Sequence, residues 1–303
     1  MEQKLEENFL NATGNRLHKP GVVGSSPTAA ICRTPAAEYH LFEEPSCSDL
    51  KLLGRNPRQY YHRKIARDAP PFNSSALAYG TLLHEWGETV CLSSDDAFWE
   101  RVHKAPDKCC TATGALSSRT SGEWLESLPE GHLGVSKADH EKLWAQTRRL
   151  LDNPQVIDLI SKCVDAEFNI RTKLGRHAVR CRVDAATNGY GFDWKTTSDE
   201  APLHTFDASC AKFGYHMQSA FYSHCLHSAG WPLAPLRFVV TSTVWPYENF
   251  VCHLPDEFIR IGHRKVVRLL DELESRKEWD FWDRYEAQGD IVLPVRGYLM
   301  KGD

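Results

Sequence analysis

The stretch Arg180-Cys-Arg-Val-Asp-Ala-Ala-Thr-Asn-Gly-Tyr-Gly-Phe-Asp-Trp-Lys195 decides how this chain folds. Asn188-Gly189 is a two-residue hairpin signal, because a tight turn holds both central residues at positive φ, which Asn and Gly tolerate. With those two residues as the loop, Asp184 lies opposite Asp193 and Arg182 opposite Lys195. The period of two along a strand puts Asp193 and Lys195 on one face and Trp194 on the other. Two opposed carboxylates repel, so a sheet gains nothing from the pair. A divalent cation between them reverses the sign, and Mg²⁺ favours one or two carboxylates plus phosphate oxygens and water. A solvated hairpin with its charges in water is the plain alternative. The second Asp at the opposing position, with apolar Val183 and Phe192 beside the pair, favours the metal. A longer loop would shift the register and break the pairing.

Outward from the hairpin, apolar periodicity gives strands at about 164–173, 178–187 and 190–197, then a helix over 204–229. Strands near 236–243 and 248–254 follow, and an amphipathic helix from Pro255 to about Lys277 carries Val266, Leu269, Leu270 and Leu273 at core spacing. Upstream, Ser46 or Ser48 caps a short helix ended by Gly54, and Asn56-Pro57 starts a second that reaches Ile65. Ser74 or Ser75 caps the apolar helix holding His84. Residues 103–130, rich in Ser, Thr and Gly, read as an excursion or a mobile loop, and helices follow at about 136–151 and on to Cys163. The expected fold is α/β (α+β), a central mixed β-sheet flanked by helices. Residues 1–36 read as a disordered leader, 37–290 as a single domain and 291–303 as a tail. Within the leader, Gly21-Val-Val-Gly-Ser-Ser-Pro-Thr28 resembles the conceptual translation of a tRNA gene's T-arm, as if the frame began inside a phage attachment site.

Composition narrows the function. The chain has 303 residues, 42% hydrophobic and 25% charged, with a net charge of −4. No apolar run is long enough to span a membrane, and no signal-peptide core opens the chain, which reads as cytoplasmic. A slightly acidic protein that binds DNA must gather its cations locally. Lys51, Arg55, Arg58, Arg63 and Lys64, with Tyr60 and Tyr61, form a basic and aromatic surface, for which a solvated helix face is the plain account of any single Arg. The ten cysteines contain no Cys-x-x-Cys, so an iron–sulfur cluster or zinc finger is not expected. No Walker loop and no Gly-x-Ser-x-Gly elbow is present, which removes nucleotide-driven motors and serine hydrolases.

Other residues stay open on their own. His84 is a core histidine or a ligand. Gln218 and Tyr222, four apart, share a helix face that could cover the hairpin or serve only packing. Glu167 could add a carboxylate or pair with an Arg.

Val183-Asp184 followed by Phe192-Asp193-Trp194-Lys195-Thr196-Thr197 resembles the core motif of the PD-(D/E)xK nuclease superfamily, with Val183 in place of the Pro that names it. Ser75-Ala-Leu-x-x-Gly80-Thr81-x-x-His84 and Gln218-x-x-x-Tyr222 resemble the flanking motifs of the RecE-type exonucleases (exonuclease VIII) and their phage relatives. The resemblance spans about 37–280, with Ser48-Asp-Leu-Lys51 and Arg119-Thr-Ser-Gly-Glu-Trp124 inside it. It implies Asp184 and Asp193 as metal-binding carboxylates, the Trp194 carbonyl as a further ligand, His84 as ligand of a second metal and Glu167 as a lesser one. Lys195 would orient or deprotonate the attacking water, and Gln218 and Tyr222 would position the strand or the Lys195–water pair. Arg55, Arg58, Arg63, Ser75 and Arg182 are the candidate DNA contacts. The implied activity is Mg²⁺- or Mn²⁺-dependent hydrolysis of DNA from duplex ends, 5′→3′, with two metal ions about 4 Å apart; a structure- or sequence-specific endonuclease of the same superfamily and a non-catalytic DNA-end-binding module are the alternatives. Its implied partners are a single-strand annealing protein and further copies of the chain in a ring.

Overall fold

The computed structural model describes residues 29–70, 75–200 and 202–282. Its strands are β1 (Ala30–Cys32), β2 (Val102–Lys104), β3 (Leu133–Val135), β4 (Cys163–Leu174), β5 (His177–Thr187), β6 (Gly191–Thr197), β7 (Arg237–Ser242) and β8 (Asn249–His253). Six of them form one sheet in the order β1-β4-β5-β6-β7-β8, and β2 pairs with β3 separately. The sheet is mixed, because β6 and β7 run parallel while the other neighbours are antiparallel. This is the expected class.

The helices are α1 (Ala36–Tyr39), α2 (Cys47–Arg55), α3 (Pro57–Tyr60), α4 (Ser75–Leu92), α5 (Asp95–Trp99), α6 (Gly122–Glu126), α7 (Lys137–Leu151), α8 (Pro154–Lys162), α9 (Pro202–Phe213), α10 (Tyr215–Ser228) and α11 (Asp256–Trp279). They cover both faces of the sheet. On one face Leu83, Trp86 and Val90 of α4 and Leu143 and Leu150 of α7 bury against Ala185, Phe192, Trp194 and Val239. On the other, Leu50 and Leu53 of α2, Phe221 of α10 and Leu269 of α11 bury against Phe168, Ile170 and Val183. Each fully buried Leu or Phe stabilises the fold by about 1.5–3 kcal/mol relative to exposure, so these two layers fix where the hairpin sits. Two glycines set the approach of the layers. A Cβ on Gly87 would lie 2.3 Å from Trp194 Nε1, and one on Gly262 would lie 2.0 Å from the His216 carbonyl oxygen.

The local signals act where the sequence puts them. Ser46 caps α2 in a capping box with Asp49, Asn56 caps α3 ahead of Pro57, and Ser136 caps α7. A π-helical turn, Tyr61–Ile65, continues α3 to the expected end. Arg180 is buried and ties β5 to α1 and α2, donating to the Tyr39 and Glu44 carbonyls and to Asp49.

Several expectations are corrected. Residues 30–32 are not leader but an edge strand, pairing Ala30 with Arg171 and Cys32 with Asn169, and Arg33 reaches Asp165 at 2.8 Å. The T-arm-like segment, the rest of the leader to residue 28, and the tail 291–303 lie outside the described residues. Gly54 does not end α2, which runs on to Arg55. Its missing side chain instead makes room for Leu269, whose Cδ2 would be 3.1 Å from a Cβ there. Residues 103–130 are structured: β2 pairs in parallel with β3, and α6 packs Trp124 and Leu125 over Gly134. The helix over 204–229 is two helices, broken at Gly214, whose φ of +67° leaves the helical region. The turn at Asn188-Gly189 has neither residue at the left-handed φ the motif normally takes. Thr187 Oγ1 accepts from the Gly189 and Tyr190 amides instead, and the expected register survives.

Candidate active site at the fork of the hairpin

The β5–β6 ladder is short. Ala186 pairs with Gly191 and Ala185 with Phe192, so Asp184 and Asp193 are the first residues beyond it. Beyond Phe192, β6 stays paired with β7 on its other edge, while the two hairpin strands part. The fork therefore places two carboxylates where ladder hydrogen bonds stop. Trp194 N–H donates to Asp184 Oδ2 at 3.2 Å, so that carboxylate stands in for a strand carbonyl. In an extended strand the N–H and C=O of one residue point the same way, so the Trp194 carbonyl also faces the fork.

Both flanking layers reach into it. From α4, His84 Nδ1 lies 3.0 Å from Asp184 Oδ2. From α10, Gln218 Nε2 donates to Asp193 Oδ1 at 2.6 Å, and the Lys195 ammonium contacts Asp193 Oδ2. Glu167 faces Asp184 across the β4–β5 pair, between the registered positions Ala166–Ala185 and Phe168–Val183. Its φ of +51° is an uncommon conformation for a side-chain-bearing residue, costing on the order of 1–3 kcal/mol, and such strain concentrates at functional sites. The ligand atoms of His84, Glu167 and Asp184 all lie within 4.8 Å of one another.

A model of the PDDEXK-like domain of unknown function (DUF3799) matches residues 46–288. The chain belongs to that family. This PDDEXK-like domain also resembles the crystal structure of a candidate exonuclease from Eubacterium rectale, with a TM-score of 0.56 and 14% identity over 88% of this chain and 96% of that one. At that identity the likeness shows the fold alone. No curated protein matches the chain. The family match supports a PD-(D/E)xK nuclease, and nucleases of this superfamily typically use divalent metal ions.

The donor set fits a divalent ion: carboxylates and a strand carbonyl suit hard cations such as Mg²⁺ and Mn²⁺, while the one imidazole, His84, is a ligand more usual for transition metals. Within the site the side chains compensate one another's charges. Burial would raise Asp184, but His84 and Lys195 nearby hold it below the usual carboxylate range. Burial would lower His84, and the Asp184 carboxylate overturns this and raises it. Asp193 is raised by burial and by the charge of Asp184, against the pull of Lys195. Burial would lower Lys195, yet Asp193 and Asp184 keep it an ammonium. Glu167 is pushed up to about 7 by burial and by Asp184, with Arg182 opposing. Burial holds the Tyr222 hydroxyl well above its ordinary value, and the nearby Asp193 and Asp184 charges add to it.

The remaining candidates divide. Arg182 does not face Lys195, because the strands have parted there; it is bound to Glu167 and to the Thr34 carbonyl. Arg55 and Arg63 line a cavity of about 1030 Å³ with Lys64, Arg67 and Lys277, and Arg58 is exposed on α3. Ser75 begins α4, and its side chain lies outside the described ones. Two residues at the site were not singled out as such from the sequence. Glu88, one turn after His84, is raised by burial and senses both Arg182 and Asp184. Tyr215 places its ring 5.2 Å from Lys195 Nζ and 5.5 Å from Lys51 Nζ. His84-x-x-x-Glu88 spacing could have flagged the first; only the break at Gly214 brings Tyr215 and Lys51 together. Among the described residues no helix is long and apolar enough to cross a membrane.

Proposed function

We propose that this protein hydrolyses DNA phosphodiester bonds with Mg²⁺ or Mn²⁺, digesting one strand 5′→3′ from duplex ends. The observation that carries the proposal is the convergence of His84, Glu167, Asp184, Asp193, Lys195 and Gln218 on one fork from both faces of the sheet. Asp184, Asp193, His84, Glu167 and the Trp194 carbonyl would hold divalent cations, two in the full set, which would supply charge to the phosphoryl oxygens and activate water.

The chain's own groups do the rest. Gln218 donates to Asp193 Oδ1 and so turns Oδ2 toward Lys195. Lys195, held as an ammonium, orients the attacking water and stabilises the charge that develops on the phosphoryl group. In that charge state it is a donor rather than a base. Tyr222, kept protonated by burial, can donate toward the same region.

The cavity holding Arg55, Arg63, Lys64, Arg67 and Lys277 against Glu43 and Asp49 supports a polyanionic ligand in a chain of net charge −4. The RecE-type resemblance supports the polarity. It also supports the exposure of 3′ single strands for a partner annealing protein in phage-type recombination, in the cytoplasm of a bacterial host. A ring of several copies around DNA rests on the same resemblance.

Linear and covalently closed circular duplexes incubated with Mg²⁺ test the reading, with Asp193→Ala beside wild type. Loss of linear DNA alone, abolished by the substitution, is expected. Nicked or cut circles would make the enzyme an endonuclease, and intact DNA of both forms would remove the catalytic reading.

A further inference from the structure

Beyond Lys195, β6 runs out through Thr196 and Thr197 along a second cavity, of about 520 Å³. That size lies within the ~300–1,000 Å³ of sites that take a single small organic ligand. Aromatic side chains line it. Phe206 and Tyr215 stack with centroids 5.6 Å apart, and Phe213, half exposed, lies 5.8 Å from Tyr215. Tyr79 joins them from α4 with its ring fixed: its hydroxyl donates to Gln146 Oε1 at 2.5 Å, and Gln146 Nε2 donates to Thr241 Oγ1 and to the Ser242 carbonyl.

Two lysines stand over these rings. Lys142 Nζ is 3.8 Å from the Tyr79 centroid and Lys212 Nζ is 5.1 Å from that of Phe213. Among the described residues neither lysine is in an ion pair, although Asp139 acts on Lys142 from nearby, and the carboxylates that line the same cavity are held in place by hydroxyl donors. Asp139 Oδ2 accepts from the Ser136 hydroxyl at 2.7 Å, while Asp199 Oδ2 accepts from the Thr197 and Thr205 hydroxyls at 3.0 and 2.9 Å. Tyr215 is shared with the fork, since its ring also carries Lys195. Rings alone would suit any apolar guest, and lysines alone any anion. Together they suit a flat base joined to a phosphate.

We propose that this cavity seats one unpaired nucleotide of the strand being cut, its base on the Phe213 and Tyr215 rings and its phosphate toward Lys142 and Lys212. The inference rests on the nuclease reading above. A base stacked there has left its partner, so the strand separates at the site, which costs least where pairing is already lost. The released deoxynucleoside 5′-monophosphate then has a place to bind and inhibits as product.

The test measures binding of dTMP, thymidine and inorganic phosphate to the whole protein in EDTA by calorimetry. Phe213→Ala and Lys142→Ala are run alongside, with a thermal melt to show that both fold. The expected result is dTMP bound at least about tenfold more tightly than either fragment, and weakened about tenfold by each substitution, the scale of one lost base–aromatic stack. Phosphate binding as tightly as dTMP, or an unchanged dTMP affinity in Phe213→Ala, overturns the proposal. No DNA is turned over in this assay, so the two failures separate. A protein that digests DNA but does not discriminate dTMP from phosphate loses this pocket alone. One that binds dTMP yet leaves DNA intact with Mg²⁺ loses the nuclease reading.

Discussion

Lys195 carries the positive charge that lets two buried carboxylates share one fork. Asp193 is 1% exposed and has the Lys195 ammonium against one oxygen and the Gln218 amide on the other. Lys195→Gln removes the charge and shortens the side chain by one atom while keeping a polar end. It is expected to cut the rate by about 10²–10³, the cost of losing one donor to developing transition-state charge. The Mg²⁺ concentration for half-maximal rate should not rise, because an ammonium competes with a cation for Asp193. Steady-state rates over a Mg²⁺ series check both, and a loss smaller than about fivefold would remove Lys195 from the chemistry. These residues were legible because strand period and register need only local sequence: Asp184, Asp193 and Lys195 stand at positions fixed by a short turn. Glu88 and Tyr215 were not, since what makes them part of the site is a helix packed on a sheet.

Among elements the same division holds. Ser46, Asn56 and Ser136 announce helix starts because a cap acts over three residues. The pairing of β1 with β4 joins Ala30 to Arg171, far apart in the chain, and no local pattern encodes it. The break between α9 and α10 lay hidden in a continuous helical stretch, and it creates a junction of its own. His216, 4% exposed, has Nδ1 3.2 Å from the Cys210 carbonyl of α9 and Nε2 3.1 Å from Lys265 Nζ of α11. An ammonium only donates, so Nε2 accepts and Nδ1 carries the proton. Burial, with Lys265 adding to it, lowers the His216 pKa, so the folded protein keeps this ring neutral. An unfolded histidine titrates near about 6.5. Stability from this junction is therefore complete above that pH and is lost as pH falls through the folded value, because the unfolded chain binds the extra proton. The melting temperature of wild type should drop more steeply than that of His216→Asn between about pH 7 and pH 5. Parallel curves would show that His216 does not set the acid limit.

Charge is distributed unevenly over the whole molecule. A net charge of −4 says little about nucleic acid, yet the sequence did show that any DNA site must concentrate its cations, and Arg55 and Arg63 lay in the stretch that does so. What the sequence could not show is that Lys277, from the far end of α11, closes the same cavity. If the cavity tracks phosphates, each cation on it contributes through release of condensed counterions, and binding must weaken with salt. Asp193→Ala protein, which should hold DNA without cutting it, gives the measurement: anisotropy of an end-labelled duplex from about 50 to 200 mM salt. Arg55→Ala and Lys277→Ala, both at exposed positions, should each flatten the slope of log affinity against log salt by about one, with melting temperatures unchanged. Slopes that stay unchanged in both would place the duplex on another face, and the fork would then have to be reached from the side of the Phe213 cavity alone.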